Sequence, residues 1–240
     1  MIIDAHAHVG VWPKIGVDGR EDAALRLMDR YGIDIACISD VPTDFPMGNA
    51  GIHAVCQRHP DRFRGYAFVN PLHQQASLDE IDRCINDYGF VGCKFHISYN
   101  LIAYDDPRYD PLFDRVRDLD VPVLFHTWGG GDDIARAAAR HPDITMIAGH
   151  TGGYDWDRGC MVGIEHPNIY LDPASSCSER GMIEAAVAAV GADRVVFGTD
   201  LTYISPEATL HAVYDAEISQ SDKKKILSHN AAKLFGLEGH

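Results

Sequence analysis

The sequence predicts an α/β protein built as a single (β/α)8 TIM barrel over residues 1–240. Three observations predict it. Short β-branched apolar runs alternate with longer helix-like stretches from end to end. Three helix-to-strand junctions repeat almost the same wording, and no Pro/Gly/Ser tract is long enough to separate two domains. Repeated βα units imply a parallel sheet with helices packed outside it.

The candidate strands, in order, are "MIIDAHAH", "DIACISD", "FRGYAFVN", "VGCKFH", "VPVLFH", "ITMIAGH", "NIYLDP" and "RVVFGTD". Eight such runs suggest closure. Helix-like patterns fall at residues 21–31, 48–59, 76–88, 109–119, 132–140, 154–165, 179–190 and 206–217, the one at 154–165 being the weakest. The repeated junctions are "RHPDRF" at 58–63, "RHPDIT" at 140–145 and "EHPNIY" at 165–170. Proline just past a helix ends it and Asp or Asn makes the turn, so these loops belong at the N-terminal rim of the sheet. Their histidines, His59, His141 and His166, read as structural.

Composition narrows the function classes. The apolar content of 46% is that of an ordinary globular protein, and the net charge of −14 argues against nucleic acid or an anionic membrane as a partner. No apolar stretch approaches the roughly 20 residues that span a bilayer, and no signal-peptide pattern opens the chain, so the expectation is a cytoplasmic protein. The six cysteines (Cys37, Cys56, Cys84, Cys93, Cys160 and Cys177) form no C-x-x-C pair, which removes the zinc-finger and thioredoxin-like spacings and leaves reduced packing residues.

The strand ends carry the chemistry. In an extended strand Asp4, His6 and His8 share one face. A lone His-x-His pair is weak evidence for a metal. Strand four, however, ends in Lys94 and His96, strand five in His126, strand six in His150, strand seven in Asp172 and strand eight in Asp200. In a (β/α)8 barrel all these ends converge on one mouth. Neutral imidazoles with a carboxylate suit Zn2+ or a similar ion, and His6, His8, His126 and Asp200 supply three nitrogens and an oxygen. An ion so held lowers the pKa of a bound water from about 16 towards roughly 7.

"DAHAH", "GCKFH", "LFHT", "AGHTGG" and "FGTD" together resemble the amidohydrolase superfamily, and more narrowly its amidohydrolase-related branch, which includes decarboxylases of the aminocarboxymuconate-semialdehyde type. The closing "ILSHNAAKLFGL" is similar to that branch's last helix, so the resemblance covers residues 2–237. It implies a metal carried by His6, His8, His126 and Asp200, with His150 acting beside it on substrate or water. Binuclear members carboxylate a strand-four lysine. The expectation here is one Zn2+ per chain and an uncarboxylated Lys94. Lys94 and His96 then serve substrate binding or a second metal, or Lys94 pairs with Asp4 or Asp172. Asp4 is expected as a partner of a ligand or of Lys94.

Trp12, Tyr99, Trp128, Tyr154, Trp156 and Tyr203 fall in βα loops, and Trp128 and Tyr154 are the first candidates for substrate contact. The leading reading is hydrolysis of a small amide, lactone or related ester, with Asp200 as proton shuttle. The alternative is nonoxidative decarboxylation or hydration of a small unsaturated carboxylic acid. A binding protein with a vestigial site is a third reading, opposed by the filled ligand positions. A homodimer is expected on base rate alone.

Overall fold

The computed structural model describes residues 1–12, 16–40, 44–176 and 179–238. Seven parallel strands form one sheet in chain order: β1 (Ile3–His8), β2 (Ile35–Ser39), β3 (Phe63–Phe68), β4 (Gly92–Phe95), β5 (Val123–His126), β6 (Met146–Gly149) and β7 (Ile169–Asp172). Each strand is followed by helix, and the main helices lie at Glu21–Tyr31, Phe45–Arg58, Gln74–Asp82, Asp110–Asp118, Asp132–Arg140, Trp156–Glu165, Met182–Val190 and Glu207–Asp215.

The expected eighth strand, "RVVFGTD", is not a regular strand. It forms only isolated parallel bridges, Leu171 to Val195 and Ala7 to Leu201. The segment nonetheless fills the gap between β7 and β1. Val196 N–H donates to Leu171 O at 2.9 Å, and Ala5 N–H donates to Phe197 O at 2.7 Å. Gly198 and a left-handed Asp200, with φ 64°, end the extended geometry too soon for a ladder to develop. A short antiparallel ribbon, Gly10–Trp12 with Val17–Gly19, is an element that the sequence did not predict.

Alternation along the strands sorts the apolar residues into two layers. Phe95, Val123, Phe125, Met146, Ala148 and Leu171 pack outward against the helices. Ile3, Ala5, Cys37, Tyr66, Leu124, Ile147 and Val196 fill the interior, where Ala231, Ala232, Phe235 and Leu237 from the C-terminal helical segment close them off. Burying one such large side chain contributes about 1.5–3 kcal/mol. The Pro-containing junctions all build the same turn: Arg62 N–H donates to His59 O (3.0 Å), Ile144 to His141 (3.2 Å) and Ile169 to His166 (3.0 Å). These turns lead into β3, β6 and β7, so they occupy the rim opposite His126 and His150.

β1 departs from the expected alternation. Its register against β2 slips between Asp4 and Ala7, where a β-bulge inserts an extra residue. Ala5 therefore joins the interior and Ala7 the outer layer. Asp4 pairs with Ala36 of the outer layer and leaves the face that carries His6 and His8.

Of the cysteines, Cys37, Cys84, Cys93 and Cys160 are buried and Cys56 is half-buried, all as free thiols. Cys177 lies outside the described residues. No helix among the described residues is long and apolar enough to cross a membrane.

Candidate metal centre and active site

His6, His8 and Asp200 come together at the mouth, each offering one donor atom within 4.8 Å of the others. Asp200 Oδ1 lies 3.1 Å from His8 Nε2 and 3.6 Å from His6 Nε2. The other ring nitrogens fix what these atoms present. His8 Nδ1 sits 3.1 Å from the Ser39 carbonyl, which only accepts, so Nδ1 carries the hydrogen and Nε2 keeps its lone pair. His6 Nδ1 lies 2.6 Å from Asp172 Oδ2, and both side chains are fully buried. Burial pushes the Asp172 carboxyl well up and the His6 imidazole well down; the Lys94 ammonium, 2.7 Å from His6 Nε2, can only donate, which assigns the ring hydrogen to Nδ1. In the form with Nδ1–H donating to the carboxylate, His6 also presents a lone pair at Nε2.

Two imidazole lone pairs and a carboxylate oxygen thus face one another in a buried pocket. Like-signed acceptors repel unless positive charge lies among them. This donor set fits a divalent cation. Lys94 is the one ammonium at this place among the described residues: its Nζ lies 2.7 Å from His6 Nε2, and burial lowers it to about 8. Lys94 therefore meets His6. No ion pair joins it to Asp4 or Asp172 among the described contacts.

His126 stands beside the compact group and outside its 4.8 Å radius. Its Nδ1 is 2.9 Å from His150 Nε2, while His150 Nδ1 is 2.8 Å from the Ala174 carbonyl. That carbonyl assigns the hydrogen to His150 Nδ1. His150 Nε2 then accepts from His126, whose Nε2 is left bare. Burial pushes His126 down to about 2 and His150 to about 4, so both are neutral at physiological pH. His96 stacks on His126 with ring centroids 3.9 Å apart, and its buried Nδ1 has no hydrogen-bond partner among the described residues.

Asp4 meets the main chain of His6 and does not meet Lys94. Its buried carboxylate accepts from His6 N–H (3.0 Å), Thr199 N–H (3.1 Å) and the Thr199 hydroxyl. The partner of His6 is Asp172, the acid that ends β7. Ser39, Ala174 and Ser175 hold the rings of His8 and His150, and sequence reasoning gave no sign of them. Two glycines make room for His6. A Cβ at Gly198 would lie 2.2 Å from Asp172 Oδ1, and one at Gly149 would lie 3.0 Å from His6 Cε1.

Trp128 lies 5.2 Å from the His150 ring and Tyr154 lies 6.5 Å from Trp128. Both line an open cleft of about 620 Å3 that meets the imidazoles only through Trp128 and Ser175. None of His6, His8 and Asp200 lines that cleft. Trp12 and Tyr203 pair at 6.1 Å near His8, Tyr99 sits 4.7 Å from His96, and Trp156 is buried as packing.

Relatives share this frame over nearly its whole length. The gamma-resorcylate decarboxylase of Rhizobium sp. (strain MTP-10005) is 26% identical, over 91% of this chain and 88% of its own. The 2-amino-3-carboxymuconate-6-semialdehyde decarboxylase of Dictyostelium discoideum is 28% identical, over 90% and 77%. In structure, a dihydroxybenzoic acid decarboxylase from Polaromonas sp. JS666, solved with manganese and the inhibitor 2-nitroresorcinol, superposes with TM-score 0.83 at 21% identity, over 100% of this chain and 98% of that one. The model of the Amidohydro_2 family of amidohydrolases matches residues 3–237, and the chain belongs to that family.

Proposed function

We propose that this protein is a divalent-cation-dependent nonoxidative decarboxylase of a small hydroxylated aromatic or unsaturated carboxylic acid. The observation that carries the reading is the convergence of His6 Nε2, His8 Nε2 and Asp200 Oδ1, with both histidines oriented through their Nδ1 atoms. We assign the bare Nε2 of His126 as a further ligand. The sequence alone favoured hydrolysis of an amide, lactone or ester. The relatives from Rhizobium and Dictyostelium are instead decarboxylases, which supports the alternative.

When bound, the ion supplies positive charge that draws substrate oxygens into place and offsets charge developing on them. The sequence suggested zinc. The Polaromonas relative holds manganese, and an N/O donor set accepts either. For an ortho-hydroxy acid the remaining work falls to this chain. Asp200, which a neighbouring cation would keep anionic, takes the hydroxyl proton on its Oδ2 and returns it to the ring carbon that bears the carboxylate. The carbon–carbon bond then breaks, its electron pair restores the ring, and carbon dioxide leaves. His150 would orient His126 through its Nε2, and Lys94, once displaced from His6, would offer its ammonium to the carboxylate of the bound acid. Trp128 and Tyr154 wall the approach.

The experiment is to incubate the manganese-loaded protein with 2,6-dihydroxybenzoate and related acids, and to follow carbon dioxide and the decarboxylated ring. Release that stops on chelation and returns with Mn2+ supports the proposal. Hydrolysis of lactones or amides, with no acid decarboxylated, would restore the first reading.

A further inference from the structure

Asp4 is fully buried at the start of β1, off the face that carries His6 and His8, and its carboxylate has no role in the chemistry above. Its hydrogen bonds run across the barrel seam. Oδ1 accepts from His6 N–H and from Thr199 N–H, and Oδ2 accepts from the Thr199 hydroxyl. The same hydroxyl oxygen accepts from Leu201 N–H at 3.0 Å. The residues on either side of Asp200 are thus tied to one carboxylate, and Asp200 N–H donates to His6 O at 2.8 Å.

This bracket surrounds a residue in an unfavourable conformation. Asp200 has φ 64°, the left-handed region that a non-glycine residue occupies only when its surroundings hold it there. Main-chain bonds also tie this segment to β1, from Asp200 N–H to His6 O and from Thr202 N–H to His8 O at 3.2 Å, and the Asp4–Thr199 contacts add a side-chain restraint on the residue before Asp200. We infer that Asp4 and Thr199 are positioning residues, which lock the backbone of Asp200 so that its carboxylate meets His6 and His8 at one point. The inference rests on the cation reading of the preceding subsection.

The test is Mn2+ titration of the purified, folded protein, followed by the loss of free Mn2+ signal in electron paramagnetic resonance, alongside the melting temperature. Thr199→Val keeps the shape and removes the hydroxyl. It should weaken Mn2+ binding by about 10–100-fold, the usual effect of removing a group that orients a ligand, and Thr199→Ser should restore it. A purely structural role predicts a lower melting temperature with wild-type Mn2+ affinity, and that result overturns the inference. Should Thr199→Val not fold, Asp4→Leu serves: it removes every acceptor at that place, so binding should weaken, and wild-type affinity refutes the idea. Wild-type protein that takes up no Mn2+ overturns the cation reading and this inference together. Equal Mn2+ uptake by wild type and Thr199→Val overturns the inference alone.

Discussion

Replacing Asp172 by Asn changes one atom in the contact that orients His6. Asp172 Oδ2 faces His6 Nδ1 at 2.6 Å, and Oδ1 accepts from Ala174 N–H at 2.9 Å. An amide cannot serve both places with an oxygen. If its oxygen faces Ala174, its NH2 points at His6 Nδ1 and forces the tautomer with hydrogen on Nε2, which removes the lone pair a cation needs. If it turns over, NH2 meets Ala174 N–H and two buried donors oppose each other, at a cost of about 1–3 kcal/mol. Either way Asp172→Asn should weaken Mn2+ or Zn2+ binding by about 10–100-fold, or about 1.4–2.7 kcal/mol. Isothermal titration of metal-stripped wild type and variant measures it. An unchanged Kd would show that Asp172 does not set the tautomer of His6, and would refute the reasoning.

Gly198→Ala should drive a Cβ into Asp172 Oδ1, costing about 1–3 kcal/mol. At about 2–4 °C per kcal/mol for a chain of this size, calorimetry should register a clear fall in melting temperature; none would mean that this approach is looser than 2.2 Å. His150→Asn should keep the metal and lose most turnover, whereas Asp200→Asn should weaken both, as elemental analysis and an assay of carbon dioxide release would show. His126→Asn should reduce metal content; full retention would leave His126 as a partner of His150 only. Lys94→Met should leave cation affinity equal or higher, because it removes the ammonium against His6 Nε2, and a loss of affinity would make Lys94 a ligand.

The histidine pair of β1 is legible because strand geometry is local, and His126, His150 and Asp200 are legible because barrel topology gathers all strand ends at one rim. What stayed hidden is relational. Asp172 meets His6 across 166 residues of chain, and no local pattern specifies which inward acid meets which histidine. Simple alternation placed Asp4 with His6 and His8, but the bulge in β1 turned it towards Thr199 instead. Bulges leave little signature in an apolar run. Gly149 and Gly198 carry no sequence signal of their role; the structure shows that a Cβ would meet the Phe125 carbonyl at 2.5 Å at the first and Asp172 Oδ1 at the second. The eighth segment has strand-like composition over "RVVF", yet its glycine and left-handed aspartate stop it from becoming one. His126 read as a member of the ligand set, but sequence does not show that His150 takes its Nδ1 and leaves Nε2 as the atom it can offer.

The reading as a cation-dependent decarboxylase stands on where the ion binds, and anomalous diffraction at the manganese edge from crystals grown with Mn2+ tests that most directly. The account predicts one strong peak per chain, bonded to His6 Nε2, His8 Nε2 and an oxygen of Asp200, with the Lys94 ammonium displaced from His6. A peak elsewhere, or none at this place with the metal at saturating concentration, would contradict it.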